Sequence, residues 1–356
     1  MIRFNLEKRV DTPLYQKALV VIVAIVLSLA IGGSFLHAVG TDALEAYAVI
    51  WEQVFMDPIG WEDLLVKMSP LLLTGISVAL AANMRIWNIG AEGQLYMGAF
   101  GATWVALNFD GSLNSLILLP LMVLGGMLAG AVWAGIPAVL RAYFNVNEII
   151  TTLLLNYVAI SWIDYLIFGP WRDPGSLNFP LTREFSEAAN MPLFGETEIH
   201  TGILYGLVLI LIINFVLNKT SLGIQIKIAG DNPDAATYSG INIKRLIVYV
   251  MMASGAIAGI AGMVEVTASH HRLQQNISLG YGFTGVIVAW LAKNNPLGII
   301  IYSFFMAVIF VGGELLQIEL GLPIAMVQLF QGIILFCVLG SEIFASYKIK
   351  VLRVDS

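Results

Sequence analysis

The chain has 356 residues, 58% of them hydrophobic and 12% charged, and a mean hydropathy of +0.83. An ordinary soluble domain is about 45–50% apolar and about 25% charged, so this chain carries too little charge to cover a water-facing surface and is too apolar to be disordered. Its net charge of −6 contains no basic block, which argues against nucleic acid as a partner, and its single cysteine, Cys337, excludes an intrachain disulfide and a cysteine-based metal site.

A helix needs about 20 apolar residues to cross the hydrocarbon core. Ten runs meet or approach that length: residues 18–39, 64–83, 88–109, 113–140, 149–168, 201–217, 246–268, 278–292, 297–316 and 322–340. No small-residue cleavage site follows the first, and its apolar run is long for a secretory leader, so it reads as a retained span. The expected fold is all-α: a polytopic integral membrane protein of about ten transmembrane helices, forming one domain over residues 1–356. Lys and Arg set its orientation. With the N-terminus cytoplasmic, fourteen of the 18 fall on the cytoplasmic side, and only Lys67, Arg172, Arg183 and Arg272 on the other. Residues 1–17, 218–245 and 341–356 are then cytoplasmic. Tyr281, Gly282 and Gly285 interrupt the eighth run, which reads as broken or re-entrant. Ten spans divide into two fives, and an odd-numbered repeat must be inverted; glycine-rich stretches after the second span (88–101) and the seventh (278–285) support that division.

Polar groups inside spans are few, and such groups usually face a bundle interior or an aqueous path. In the third span, 100° per residue gathers Gly90, Gly93, Gly98, Gly101 and Gln94 on one arc and leaves Glu92 on the opposite side. If the glycine arc packs on a neighbouring helix, Glu92 faces a cavity or a buried partner; the alternative is that it reaches water at the helix end. Small residues that allow close helix approach recur in the fourth span (Gly126, Gly130, Ala134) and the seventh (Gly255 with Gly259, Ala258 with Gly262). In the fifth span Glu148, Thr152 and Asn156 stand at i, i+4 steps. They form a candidate wall for a solute path, against the plainer reading of an exposed helix start at Asn147 and Glu148 with Thr152 bonded to its own backbone. The candidate path residues are therefore Asn88, Glu92, Gln94, Asn147, Glu148, Thr152 and Asn156. Glu265 and Glu314 lie near span ends and are expected to be solvated. His270 and His271 are adjacent in a loop without a third ligand, so no metal is expected there.

The middle of the 218–245 loop carries every local signal of a short helix. Asp231 or Asn232 can cap it, Pro233 suits its first position, Asp234 complements the N-terminal dipole, Ala235 and Ala236 favour helix, and Gly240 suits its end. So short a helix is marginal alone and is useful mainly as a docking element, the plainer reading being a connecting loop with a helical turn. No G-x-x-x-x-G-K-[ST] phosphate loop occurs, nor any H-E-x-x-H or G-x-S-x-G. No ATPase site and no enzyme activity are expected of the chain itself.

Residues 88–99 (NIGAEGQLYMGA), 146–157 (VNEIITTLLLNY) and 223–240, with IAGDNPDAATYSG, together resemble the permease subunits of bacterial ABC importers for branched-chain amino acids, ribose and nucleosides. The first two stretches are most similar to the nucleoside and simple-sugar branch. Residues 254–296, with SGAIAGIAGMVEV and SLGYGFTGVIVAWL, extend the resemblance, which runs over about residues 64–340. It implies a permease without cofactor in the bacterial plasma membrane, a second related permease chain, a cytosolic ABC ATPase, an extracytoplasmic solute-binding lipoprotein and a small-molecule solute. It also implies that Asp231, Asn232, Pro233, Asp234, Ala235, Ala236, Tyr238 and Gly240 form the helix that couples to the ATPase. The acidic stretch 42–63 and the loop 169–200 depart from the pattern. The competing readings are an ion-gradient transporter using Glu92 or Asp164, a passive channel, for which no ring of polar pore residues is evident, and an intramembrane enzyme, for which no catalytic cluster is evident.

Overall fold

Each of the ten apolar runs becomes a helix in the computed structural model, which describes residues 2–8, 14–109 and 111–353, with side chains over 23–109 and 111–341. Residue 1, Arg9 within 9–13, and 354–356, all expected in the cytoplasmic termini, lie outside the described residues. In chain order the elements are β1 (Ile2–Lys8), α1 (Leu14–Ala38), α2 (Ala43–Trp51), α3 (Pro58–Ala82), α4 (Ala91–Phe109), α5 (Ser115–Phe144), α6 (Glu148–Phe168), α7 (Gly202–Lys219), α8 (Ser221–Asp231), α9 (Pro233–Tyr238), α10 (Ile243–Val264), α11 (Tyr281–Leu291), α12 (Pro296–Leu320), α13 (Ile324–Ser346) and β2 (Tyr347–Arg353). Among the described residues seven helices are long and apolar enough to cross a membrane by themselves: α3, α5, α6, α7, α10 with the π turn that follows it, α12 and α13. This is a multi-pass membrane protein. At about 1.5 Å per residue the 11 residues of α11 rise about 16 Å, half of a hydrocarbon core of about 30 Å. The interrupted eighth run is therefore a half-length helix.

The sequence reads as one membrane domain, and the chain packs as two compact units, Met1–Trp61 with Val308–Ser356 and Glu62–Ala307. In the first, α1 packs along α13, with Gly32 leaving room for the Phe330 ring. The one sheet among the described residues is here: β1 and β2 pair antiparallel from Ile2↔Arg353 to Lys8↔Tyr347, an addition to the helical fold that the apolar runs did not indicate. The acidic stretch 42–63 is mostly helical. Asp42 caps α2 by accepting the Leu44 N–H at 2.8 Å, and a π turn (Glu52–Met56) leads to α3.

The second unit is built on α4, α5 and α10. Gly130 and Gly255 face each other across α5 and α10, as do Gly126 and Gly259, and a Cβ on Gly130, Gly255 or Gly259 would overlap the other helix. Gly98 and Gly262 do the same between α4 and α10. Lipid supplies no hydrophobic drive between helices, so such backbone approach is what holds them together. The 169–200 segment is irregular and is tied by backbone bonds to the stretch after α10. Thr182 donates to Leu273 at 2.9 Å, Phe185 to His271 at 2.8 Å and Met191 to Thr267 at 3.0 Å.

Candidate solute path and coupling helix

The chain leaves helix at the end of α3 and does not resume it until Ala91, so residues 83–90 expose backbone groups that need partners in a membrane protein. Side chains supply them. Asn156 accepts the Gly93 N–H at 2.8 Å and donates to the Ile89 carbonyl at 2.9 Å, while Asn83 donates to the Asn294 carbonyl at 3.0 Å. Asn88 and Gln94 form a reciprocal amide pair, 2.8 Å each way, and Asn88 also donates to Ser254 Oγ at 2.8 Å. Ser254 and Ser77 each donate to the other's backbone carbonyl at 2.7 Å. Gly90 and Gly93 are the positions where α6 comes closest: a Cβ on Gly90 would lie 2.9 Å from Thr152 Cβ, and one on Gly93 would lie 2.8 Å from Asn156 Oδ1.

Glu92 has the buried partner that the glycine arc implied. Its carboxylate accepts the Gly282 N–H at 2.7 Å in the first turn of α11, with the Ser278 hydroxyl and the Phe283 amide also bonded to it. A carboxylate at a helix N-terminus meets free N–H groups and the positive end of the dipole. The starts of α4 and α11 therefore meet, with no room for a Cβ on Gly282 against the Glu92 backbone. They are also built alike: Asn88 Oδ1 accepts the N–H two residues on, from Gly90, at 3.2 Å, and Ser278 Oγ accepts that of Gly280 at 3.1 Å.

The remaining α6 candidates are engaged as well. Asn147 caps the helix by accepting the Ile149 N–H at 2.9 Å, Arg141 lies 3.2 Å from the buried Glu148 carboxylate, and Thr152 donates to the Glu148 carbonyl at 2.6 Å. The stripe of Glu148, Thr152 and Asn156 is thus buried and turned toward the start of α4. Near the other end of the unit, the expectation of a solvated Glu265 is corrected. It is buried in the π turn that ends α10, where its carboxylate lies 3.8 Å from His270 Nε2. Burial holds His270 below its ordinary range, so this is not an ion pair at neutral pH.

The 218–245 loop forms two helices. Of the two candidate caps, Asn232 is the one used, accepting the Ala235 N–H at 3.0 Å, with Pro233 at the first helical position and Asp234 in the first turn of α9. Asp231 instead ends α8 and pairs with Arg85 at 2.9 Å, an exposed contact worth about 1 kcal/mol or less. Gly240 ends α9 in the left-handed region at φ 80°, which a glycine adopts without strain. Ala236 is buried, Ala235 is half-buried, and Tyr238 stands 94% exposed. Just before α9, Gly230 rests on the backbone of Asn83 and Met84, where a Cβ would come within 2.7 Å of the Asn83 carbonyl. The α8–α9 element is therefore braced on the non-helical segment that carries Asn88.

A model of the family described as branched-chain amino acid transport system, permease component, matches residues 60–339. The chain belongs to that family. It is 36% identical to the glucose ABC transporter permease protein TsgB13 of Haloferax volcanii, over 98% of this chain and 94% of the relative. It is 30% identical to the guanosine ABC transporter permease protein NupP of Bacillus subtilis, over 91% and 93% of the two chains, and 30% identical to the nucleoside ABC transporter permease protein NupB of Lactococcus lactis, over 90% of each. These relatives are named for sugar and nucleoside transport.

The residues of this permease that sequence reasoning passed over are Ser77, Ser254 and Ser278. Their signal was a lone hydroxyl in an apolar run, which is uninformative until its partner helix is known.

His200, just before α7, gives the permease an acid-sensitive point outside its spans. Its Nδ1 accepts the Gly202 N–H at 3.2 Å, so the ring proton sits on Nε2, which is buried without a partner among the described residues. Burial pushes its pKa down to about 4, against about 6.5 for an unfolded chain. Between those values the unfolded chain takes up a proton that the folded one refuses. Stability is thus fully present above about pH 6.5 and falls by up to about 1.4 kcal/mol per unit as pH drops toward 4. His200→Asn keeps an acceptor for Gly202 and cannot titrate. Its melting temperature in detergent should change less than the wild type's between about pH 6.5 and 4.5.

Proposed function

We propose that this permease is the membrane subunit of an ATP-driven importer for nucleosides or sugars. Its partners in this reading are a cytosolic ABC ATPase, a second permease chain and an extracytoplasmic solute-binding lipoprotein. The chain contributes no ATPase site of its own, and its termini and the α8–α9 loop face the cytoplasm. The solute class rests on the relatives named for glucose, guanosine and nucleoside transport. The observation that carries the mechanism is α9: a capped, six-residue helix with an exposed tyrosine, braced through Gly230 on residues 83–84. Residues Asp231 to Gly240 are the coupling element. A displacement of α9 passes through residues 83–84 to Asn88, whose amide Gln94 and Ser254 hold, and so to the start of α4, where Asn156 holds the backbone of Ile89 and Gly93. Asn88, Glu92, Gln94, Asn147, Glu148, Thr152 and Asn156 position that start beside the path. Glu92, one of the two residues an ion-gradient mechanism would use, has its carboxylate engaged by α11.

The test is uptake of labelled guanosine and glucose by cells carrying or lacking the gene, before and after ATP depletion, with the proton gradient clamped. Gene-dependent uptake of one of them that stops without ATP is expected. Uptake that persists without ATP and follows the ion gradient would overturn the assignment.

A further inference from the structure

The buried polar stripe of α6 has an open counterpart. Taking 100° per residue, Tyr157, Ser161, Asp164 and Tyr165 fall within an arc of about 100°, on the side away from Thr152 and Asn156. Tyr157 and Tyr165 are each 61% exposed, Ser161 is exposed and Asp164 is half-buried. Among the described residues, no hydrogen bond or ion pair is made by the Tyr157 hydroxyl, the Ser161 hydroxyl or the Asp164 carboxylate; Asp164 acts on Tyr96 only through space. The hydroxyls of Thr74 and Thr152 bond back to their own helix, whereas that of Ser161, like those of the buried Ser69, Thr103 and Ser303, does not. Trp162 borders the arc, its ring 5.7 Å from Tyr165 and 6.2 Å from Phe100, which stacks on Trp171 at 5.3 Å.

A belt of aromatics at the membrane boundary accounts for Trp162 and Tyr165 near the helix end. It does not account for Tyr157 in the middle of α6, nor for an unpaired carboxylate on the same arc, because hydrogen-bonding groups turned to lipid are costly and those found in spans face water or a polar partner. The arrangement has a definite chemistry. A carboxylate accepts hydrogen bonds at both oxygens, so it can receive two adjacent hydroxyls of one ring. An aromatic face alongside takes the apolar face of a sugar or a nucleobase. We propose that this open face of α6 is a solute-contacting wall, with Asp164 accepting hydrogen bonds from a vicinal diol, Ser161 bonding beside it, and Tyr157 and Tyr165 packing on the ring. The assignment rests on the solute class proposed above, because a ring bearing a vicinal diol is what nucleosides and hexoses share.

The native chain has one cysteine, so Cys337→Ala supplies a cysteine-free background in the assembled transporter. In native membranes, Ser161→Cys should react with a charged thiosulfonate about tenfold or more faster than Leu128→Cys, which sits on an exposed apolar face of α5. Guanosine or glucose in excess should slow that reaction about threefold or more, and the one that protects identifies the source of the diol. Labelling no faster than at Leu128, or labelling that neither solute slows, would overturn the proposal. In the same membranes Asp164→Asn, at unchanged abundance, should lower uptake of the diol-bearing solute about tenfold while lowering that of its deoxy analogue about twofold or less. Equal losses for both solutes would make Asp164 a structural residue and overturn its role. If wild-type cells show no gene-dependent uptake of either solute, the proposed solute class falls, while the labelling rates still report whether this face is wet.

Discussion

Replacing Gly259 with Leu is expected to remove the folded protein from the membrane. Gly259 lies where α4, α5 and α10 come together: a Cβ there would overlap the Gly126 carbonyl of α5, and the Gly98 position of α4 abuts the Gly259 backbone. A leucine must push two helix backbones apart, and neither has a flexible side chain to yield. Overpacking a well-filled core costs about 1–3 kcal/mol even where side chains can move, and here the backbone contact itself is what joins the helices. Gly259→Ala, with one added carbon, should be folded but melt markedly lower. Gly135 on α5 is the matched control, because a Cβ there meets only the Met252 side chain at 3.6 Å. Gly135→Ala should be neutral or stabilised by up to about 1 kcal/mol, the helix-propensity difference between the two residues. Detergent-extracted abundance and melting temperature of the three variants check the ordering; equal behaviour at positions 259 and 135 would refute it.

That contrast shows where sequence reasoning reached and where it stopped. The spans were legible because hydrophobic length is a one-dimensional property, and α11 was recognisable as deficient because Tyr281, Gly282 and Gly285 interrupt its run. The α9 boundaries were legible because caps are local: Asn-Pro at one end and Gly240 at the other need no tertiary information. The choice between Asp231 and Asn232 was left open, since either side chain can cap, and the Arg85 contact of Asp231 lies far away in sequence. The polar network was only half legible. The pattern gave Glu148, Thr152 and Asn156 a common face but not its direction, and direction decides whether an asparagine lines a path or holds a backbone. The two terminal strands lie outside the apolar runs, so hydropathy carried no signal for their pairing.

Tyr238→Asp should reduce ATP-driven uptake about tenfold or more while leaving the permease folded and at normal abundance. Tyr238 is 94% exposed at the end of α9, so none of the described residues depends on its ring for packing. Tyrosines at the centre of an interface often carry about 2 kcal/mol or more of binding energy. A carboxylate in their place adds an unpaired charge to any surface that closes over it. Ala236 gives a less decisive test. It is buried within the α8–α9 element, so a charged residue there disrupts α9 itself and abolishes transport whether or not an ATPase docks. The discriminating pair is therefore Tyr238→Asp and Tyr238→Phe, which keeps the ring. Uptake lost in the first and retained in the second, with the ATPase no longer co-purifying with the first, is the outcome expected of a docking helix. Wild-type uptake and ATPase retention in Tyr238→Asp would show that α9 is a connecting turn, and that coupling runs through another part of the 218–245 loop.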